Sequence, residues 1–185
     1  MRCNWAQSSE AMQQYHDTEW GTPLRDDTKL FEFLILEGAQ AGLSWSTILN
    51  RREGYREAFH NFDIAAVAAM TDTELEALRD DSRIIRNRLK IHSARKNARA
   101  AQQMITLRGT FTDYLWEFAQ NIAHVPRVSE DTIPAHTEYS DAMSKALKKA
   151  GFTFVGGTIC YAFMQATGMV NDHTKNCFRY KELQS

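Results

Sequence analysis

Leu78-Arg79-Asp80-Asp81-Ser82-Arg83-Ile84-Ile85-Arg86-Asn87-Arg88-Leu89-Lys90-Ile91 reads as the end of one helix, a short hairpin and the start of a second helix. The start of a helix leaves backbone N–H groups without intrahelical partners, and these bind phosphate through geometry and dipole. Flanking arginines add counterion release, and with it a steep dependence on salt. From residue 79 to residue 99 the chain carries Arg79, Arg83, Arg86, Arg88, Lys90, Arg95, Lys96 and Arg99 against Asp80 and Asp81 alone. The whole chain has a net charge of -1, so this basic stripe sits on an acidic body. Such a distribution suits a surface that binds polyanions while the rest of the protein avoids them. A solvated helix face would give the same run of charge. A second cluster, Lys145, Lys148 and Lys149, admits both readings.

Outward from the hairpin, the signals are helical. Asp27 is placed to cap a helix over 29–41, with Leu30, Leu34 and Ala41 on one face, and Gly42 to end it. Ser44 can cap a helix bearing Trp45, Ile48 and Leu49, and Asp63 one over 64–70. Thr71-x-x-Glu74 is a capping box before Leu75 and Leu78. The Ala-, Arg- and Gln-rich run 91–107 is a strong helix former. Thr112 or Asp113 should open a helix with Tyr114, Leu115 and Phe118; Ser140 or Asp141 should open one that Gly151 stops; and 158–167 should end at Gly168. Residues 124–136, with Pro126 and Pro134, read as a loop. No strand of useful length, repeat or low-complexity tract is visible. The expected class is all-α.

The 185 residues suffice for one domain or two small lobes sharing a core. Residues 1–10 hold no apolar leader, and no stretch approaches the roughly 18 apolar residues of a membrane span. Three cysteines cannot all pair, so a reducing cytoplasm is expected. There, Cys3, His16, His173 and Cys177 form a Cys2His2 set able to hold one zinc and tie the start of the sequence to its end. His173-x3-Cys177 spans one helical turn. Unconnected free thiols are the competing reading.

Glu37 falls on the same helix face as Leu30, Leu34 and Ala41. A carboxylate facing a core costs several kcal/mol unless it is paired or takes up a proton. It is either an internal salt bridge or cap, or a polar group on the floor of a ligand pocket. Trp5, Tyr15, Trp20 and Trp45 all lie in the first quarter of the chain. Such rings are ordinarily core, but with one carboxylate they supply what a flat heterocycle needs: faces to stack on and an edge partner. Gly42-Leu43-Ser44-Trp45 stands at a helix–helix junction, where Gly42 permits a tight turn and Leu43 protrudes. Leu43 is then a staple into a neighbouring helix or a wedge that fills a vacated base stack.

Taken together these stretches resemble the 3-methyladenine DNA glycosylase I family of the helix-hairpin-helix superfamily. The resemblance rests on Arg2-Cys3-Asn4-Trp5, Tyr15-His16-Asp17-Thr18-Glu19-Trp20-Gly21, Leu36-Glu37-Gly38-Ala39-Gln40-Ala41-Gly42-Leu43-Ser44-Trp45 and Ile84-Ile85-Arg86-Asn87-Arg88-Leu89-Lys90-Ile91. It continues through Ser144-Lys145-Ala146-Leu147-Lys148-Lys149, Phe154-Val155-Gly156 and Val170-Asn171-Asp172-His173, in order over nearly the whole chain. It implies a helix-hairpin-helix glycosylase-like domain over 1–185, with a central lobe at about 60–120 and the two terminal segments forming a lobe tied by one structural zinc. The implied activity is base-excision repair: hydrolysis of the N-glycosidic bond of 3-methyladenine after base flipping, on double-stranded DNA containing alkylated bases, by a monomer.

Carried over residue by residue, the resemblance implies zinc on Cys3, His16, His173 and Cys177. It gives Glu37 the catalytic role and, with Tyr15, hydrogen bonds to the base. Trp45 stacks on the base, with Trp5 and Trp20 nearby. Leu43, on the Gly42 turn, enters the DNA, and Arg86, Arg88 and Lys90 of the hairpin grip its backbone. The chain departs from the family at Met12, where a second tyrosine is expected, and at Arg83 and Leu89, where relatives carry glycine. The pocket motifs offer no lysine for a Schiff base, so no strand-nicking activity is expected. Asp113 is expected to be a helix cap. Two rivals are a non-catalytic zinc-stapled binding module and a zinc hydrolase, the latter disfavoured because four protein ligands leave no open position. Cys160, Trp116 and the histidines at 60, 92, 124 and 136 are expected to be structural.

Overall fold

The computed structural model describes residues 1–184. It contains α1 (Glu10–Thr18), α2 (Asp27–Gln40), α3 (Trp45–Leu49), α4 (Arg52–Ala58), α5 (Ile64–Ala69), α6 (Asp72–Ala77), α7 (Arg88–Arg108), α8 (Phe111–Trp116), α9 (Glu138–Lys149), α10 (Gly157–Ala166) and α11 (Phe178–Glu182). Among the described residues there is no strand, only an isolated bridge between Arg127 and Thr174. None of these helices is long and apolar enough to cross a membrane.

The caps explain where the helices begin. Ser44, Asp63 and Thr71 cap α3, α5 and α6 through their side-chain oxygens, and Thr71 with Glu74 completes the capping box. Four starts differ from the sequence reading. Asp26 caps α2, which frees Asp27 to accept from Phe111 N, Thr112 N and Thr112 Oγ1 at 2.6–3.1 Å and so dock the start of α8. Thr110, not Thr112 or Asp113, caps α8; Asp113 merely donates its N–H to the Thr110 hydroxyl. Thr137 caps α9, with Ser140 closing a capping box. Asn87 caps α7, which therefore starts at Arg88, three residues earlier than composition suggested. In each case a polar side chain one to three residues upstream offered the better acceptor.

Helix α2 is buried from Leu30 to Ala39, apolar nearly all round, as a helix at the centre of a core must be. It lies against α10, α3, α7 and α8, and α5 packs along α7. Glu32, a second carboxylate on this helix, is buried too, but Arg52 Nε at 2.5 Å and Arg56 Nη2 at 2.9 Å neutralise it.

The hairpin between α6 and α7 is gripped by α4. Ile84 is buried, and Ile85 N donates to the Tyr55 hydroxyl at 3.2 Å. Gly54 allows the approach: a Cβ there would stand 2.5 Å from Arg83 Cβ and 2.8 Å from Arg83 O. Near the two ends of the sequence, Phe178 N donates to Met1 O at 3.0 Å, and Cys3, Cys177 and Tyr180 form a small separate apolar cluster.

Candidate active site and metal centre

A cavity of about 290 Å³ opens between α1, α2, α3 and α10, lined by Trp5, Met12, Tyr15, Trp20, Glu37, Gln40, Trp45, Ile133, Ala162 and Gln165. The four rings anticipated from sequence come together here. Trp5 and Trp20 meet edge to face at 5.0 Å between centroids, Tyr15 and Trp45 lie 5.4 Å apart, and Phe33 stacks behind Trp45 at 6.5 Å. A larger cavity of about 370 Å³ lies beside Arg127, Tyr161 and Asp172. Its polar groups already satisfy one another: Asp172 accepts from Arg127 at 2.7 Å, Tyr161 at 2.6 Å and Gln165 at 2.9 Å. The smaller cavity is the one with chemistry left over.

That chemistry is Glu37. It is 4 % exposed, and unlike Glu32 it has no donor or cation paired with it among the described residues. The internal salt bridge considered from sequence therefore belongs to Glu32. Burial pushes the Glu37 carboxyl up to about 8. Burial, and secondarily the charge of Glu37, likewise holds the Tyr15 phenol well above its usual range. Trp45 Nε1 is also buried without an acceptor among the described residues. Gln40, Ile133, Ala162 and Gln165 were not singled out from sequence. Ala162 and Gln165 are one turn apart on α10, a spacing that could have marked a shared face, whereas Ile133 arrives from an irregular segment with no periodic signal.

A groove lined by Glu37, Gln40, Ala41, Gly42, Leu43, Thr158, Ile159 and Ala162 continues the cavity outward. Gly42 adopts φ +81, which only glycine takes freely, and Leu43 stands at the rim, 40 % exposed.

Most of the basic stripe is internally paired. Glu76 gathers Arg79, Arg88 and His92 at 2.7–2.9 Å, and these hydrogen bonds hold its carboxyl down at about 2. Arg83 is committed to Asp81 and Glu57, and Arg95 to Met70 O and Asp72. Arg99 donates to Ala68 O. Arg86 and Lys96 are exposed and have no partner among the described residues. Lys90 donates its ammonium to Ala39 O at 2.7 Å and Ala41 O at 2.8 Å.

Cys3, His16, His173 and Cys177 converge, all buried, with their four ligand atoms within 4.8 Å of one another. Cys3 Sγ lies 3.7 Å from His173 Nδ1, and Cys177 Sγ lies 3.4 Å from both His16 Nε2 and His173 Nδ1. Zn–S and Zn–N bonds of about 2.3 and 2.05 Å at the tetrahedral angle give S···N edges of about 3.6 Å. These three S···N distances fit a tetrahedral Cys2His2 arrangement, so the group could hold a metal ion. The far ring nitrogens are anchored as metal-bound histidines usually are, His16 Nδ1 on Asp17 at 2.8 Å and His173 Nε2 on Trp20 O at 3.0 Å. Burial pushes the Cys3 thiol up to about 11 and the His173 imidazole down to about 4. Cys160, by contrast, is a buried thiol bonded to Val155 O at 3.5 Å. Trp116 is half-buried, its Nε1 bonded to Leu24 O and its ring beneath Arg25.

Comparison with known proteins places this geometry. The chain is 51 % identical over 183 residues to DNA-3-methyladenine glycosylase 1 of Escherichia coli K12, covering 97 % of this chain and 96 % of that protein. A crystal structure of 3-methyladenine DNA glycosylase I superposes with a TM-score of 0.93 at 49 % identity, over 96 % of this chain and 98 % of the other. A tyrosine-to-phenylalanine variant of a 3-methyladenine DNA glycosylase I in complex with 3-methyladenine superposes with a TM-score of 0.92 at 30 % identity, over 96 % of each chain. The methyladenine glycosylase family profile matches residues 5–180, and the chain belongs to that family.

Proposed function

We propose that this protein excises 3-methyladenine from alkylated double-stranded DNA in base-excision repair, as a monofunctional glycosylase acting on a flipped-out base. The observation that carries the reading is a buried, unpaired carboxyl, Glu37, facing an aromatic cavity. Methylation at N3 makes the nucleoside cationic, so the glycosidic bond is weakened and the departing base is neutral. Such a reaction needs selection and positioning more than strong acid catalysis. Glu37, protonated in the empty cavity, gives up its proton when a cation arrives; the resulting carboxylate accepts from the base edge beside Tyr15. Trp45, with Trp5 and Trp20 nearby, adds cation–π attraction that neutral adenine does not receive. Water then bonds to C1′, the C1′–N9 pair leaves with the base, and the water's spare proton passes to solvent.

Extrusion costs a few kcal/mol, less for a damaged base, and Leu43 on the Gly42 turn offsets part of it by filling the stack. The α6–α7 segment acts as the helix-hairpin-helix, with the start of α7, Arg86 and Arg88 at the phosphates. Arg88 must share its guanidinium with Glu76. One zinc on Cys3, His16, His173 and Cys177 has a structural role. The whole chain works as a single domain, a monomer in the cytoplasm. The test is chromatography of bases released from methylated duplex: 3-methyladenine without strand cleavage is expected. No released base, or release coupled to nicking, would refute the reading.

A further inference from the structure

Lys90 was expected on the phosphate backbone, yet its ammonium turns inward onto the carbonyls of Ala39 and Ala41. These are acceptors at the end of α2, at the negative pole of the helix, where the last carbonyls lack intrahelical donors. Two features of that end leave a role for outside support. Ala41 N reaches Gly38 O only at 3.4 Å, and nothing lies within 4 Å of where a Gly42 Cβ would stand. The turn that presents Leu43 is closed by one short backbone bond, Leu43 N to Gln40 O at 2.6 Å, and is open on the Gly42 flank, while the Lys90 ammonium ties down the carbonyls on either side of Gln40. At the other end, the backbone of Lys90 is fixed to the hairpin, because its N–H donates to the capping Asn87 side chain at 3.1 Å. A single side chain thus bridges the start of α7 to the turn that carries Leu43 and to the last turn of the helix that holds Glu37.

We propose that Lys90 is a positioning residue: it locks the Leu43 turn to the hairpin helix, so that gripping the backbone and extruding the base occur as one movement. The inference rests on the glycosylase reading given above. It assigns Lys90 no phosphate, which separates it from a simple DNA contact.

Wild type and Lys90→Met are compared by single-turnover base release, by the salt dependence of binding to undamaged duplex, and by affinity for free 3-methyladenine. Loss of two charge-assisted hydrogen bonds should slow excision about 10- to 100-fold. The slope of log affinity against log salt should match wild type, and free-base affinity should stay within about twofold, since neither depends on the turn. A slope shallower by about 0.9 would mean that Lys90 neutralises a phosphate, and would overturn the proposal. Unchanged excision would overturn it equally, and so would a parallel loss of free-base binding, which marks general damage to the fold. If Lys90→Met does not fold, the NH3+ signal of Lys90 in the wild type decides: undamaged duplex should leave it unshifted, and a shift refutes the inference. Failure of the wild type itself to release base would instead refute the underlying activity.

Discussion

Glu37 and Glu32 lie on the same helix, both buried, and differ in their partners. Arg52 and Arg56 hold Glu32, while Glu37 faces the cavity alone. The protein therefore tolerates an uncompensated carboxyl where a pair of arginines would have been structurally cheaper. The consequence is measurable. The carboxyl of Glu37 is raised from its ordinary value of 4.5 to about 8, so between those limits the folded state holds a proton that the unfolded chain has lost. The group is harmless to stability below pH 4.5, and its cost grows as pH rises to 8, reaching at most about 5 kcal/mol. Thermal melts of wild type and Glu37→Gln should therefore diverge between pH 5 and 8.5, with the variant gaining on wild type as pH rises. Parallel melting curves across that range would show that Glu37 ionises freely. Its place on a buried face was legible from i, i+3, i+4 spacing, but the absence of a partner was not. Arg52 lies fifteen residues away along the chain, and only the packing of α4 on α2 decides which carboxylate it reaches.

At the scale of elements, the hairpin owes its position to α4 as much as to its own sequence. Gly54 against Arg83 and Tyr55 against Ile85 N hold it from beneath. Alanine is normally better than glycine inside a helix by about 1 kcal/mol. Gly54→Ala should do the opposite, because the new methyl meets backbone as well as side chain, and overpacking of this kind costs about 1–3 kcal/mol. Urea unfolding should show a loss of stability, and duplex affinity should fall as the hairpin shifts; a stabilised Gly54→Ala protein would contradict the account. The Thr71–Glu74 capping box and the helices on either side were readable because capping and periodicity are local, although the Asn87 cap that starts α7 was missed. The charge of the hairpin was not readable. Eight basic residues suggested a bare phosphate-binding stripe, but Glu76, Asp72, Asp81 and Glu57 intercept four of them, Arg79, Arg83, Arg88 and Arg95. Those carboxylates come from α4 and α6 and from the hairpin itself, and no count of charge along α7 reveals them. The same holds for Arg83, a departure from the family pattern whose charge is absorbed by Asp81 and Glu57.

Across the whole molecule, the Cys3–His16–His173–Cys177 cluster joins distant parts of the sequence and also backs the base cavity. Trp5 meets His16 at 5.3 Å and Trp20 meets His173 at 4.6 Å, so two walls of the cavity rest on the imidazoles of this cluster. Removing a metal held by this cluster should lower the unfolding midpoint by roughly 10 °C or more, each kcal/mol being worth about 2–4 °C at this size. Free 3-methyladenine should then bind more weakly even below that temperature. Chelated protein shown by elemental analysis to be metal-free, yet melting and binding as before, would remove the cluster's structural role. That these four side chains could share a metal was legible from type and spacing, and the structure brings them together; their contact with the tryptophans required the fold. The centre of the proposed activity is a charge-sensitive carboxyl in an aromatic enclosure, and single-turnover release of 3-methyladenine from alkylated duplex by Glu37→Gln tests it most directly. A rate about 100-fold below wild type, with normal duplex binding, is the expected result. Excision at the wild-type rate would mean that a neutral amide serves as well and that the carboxylate does not select the lesion.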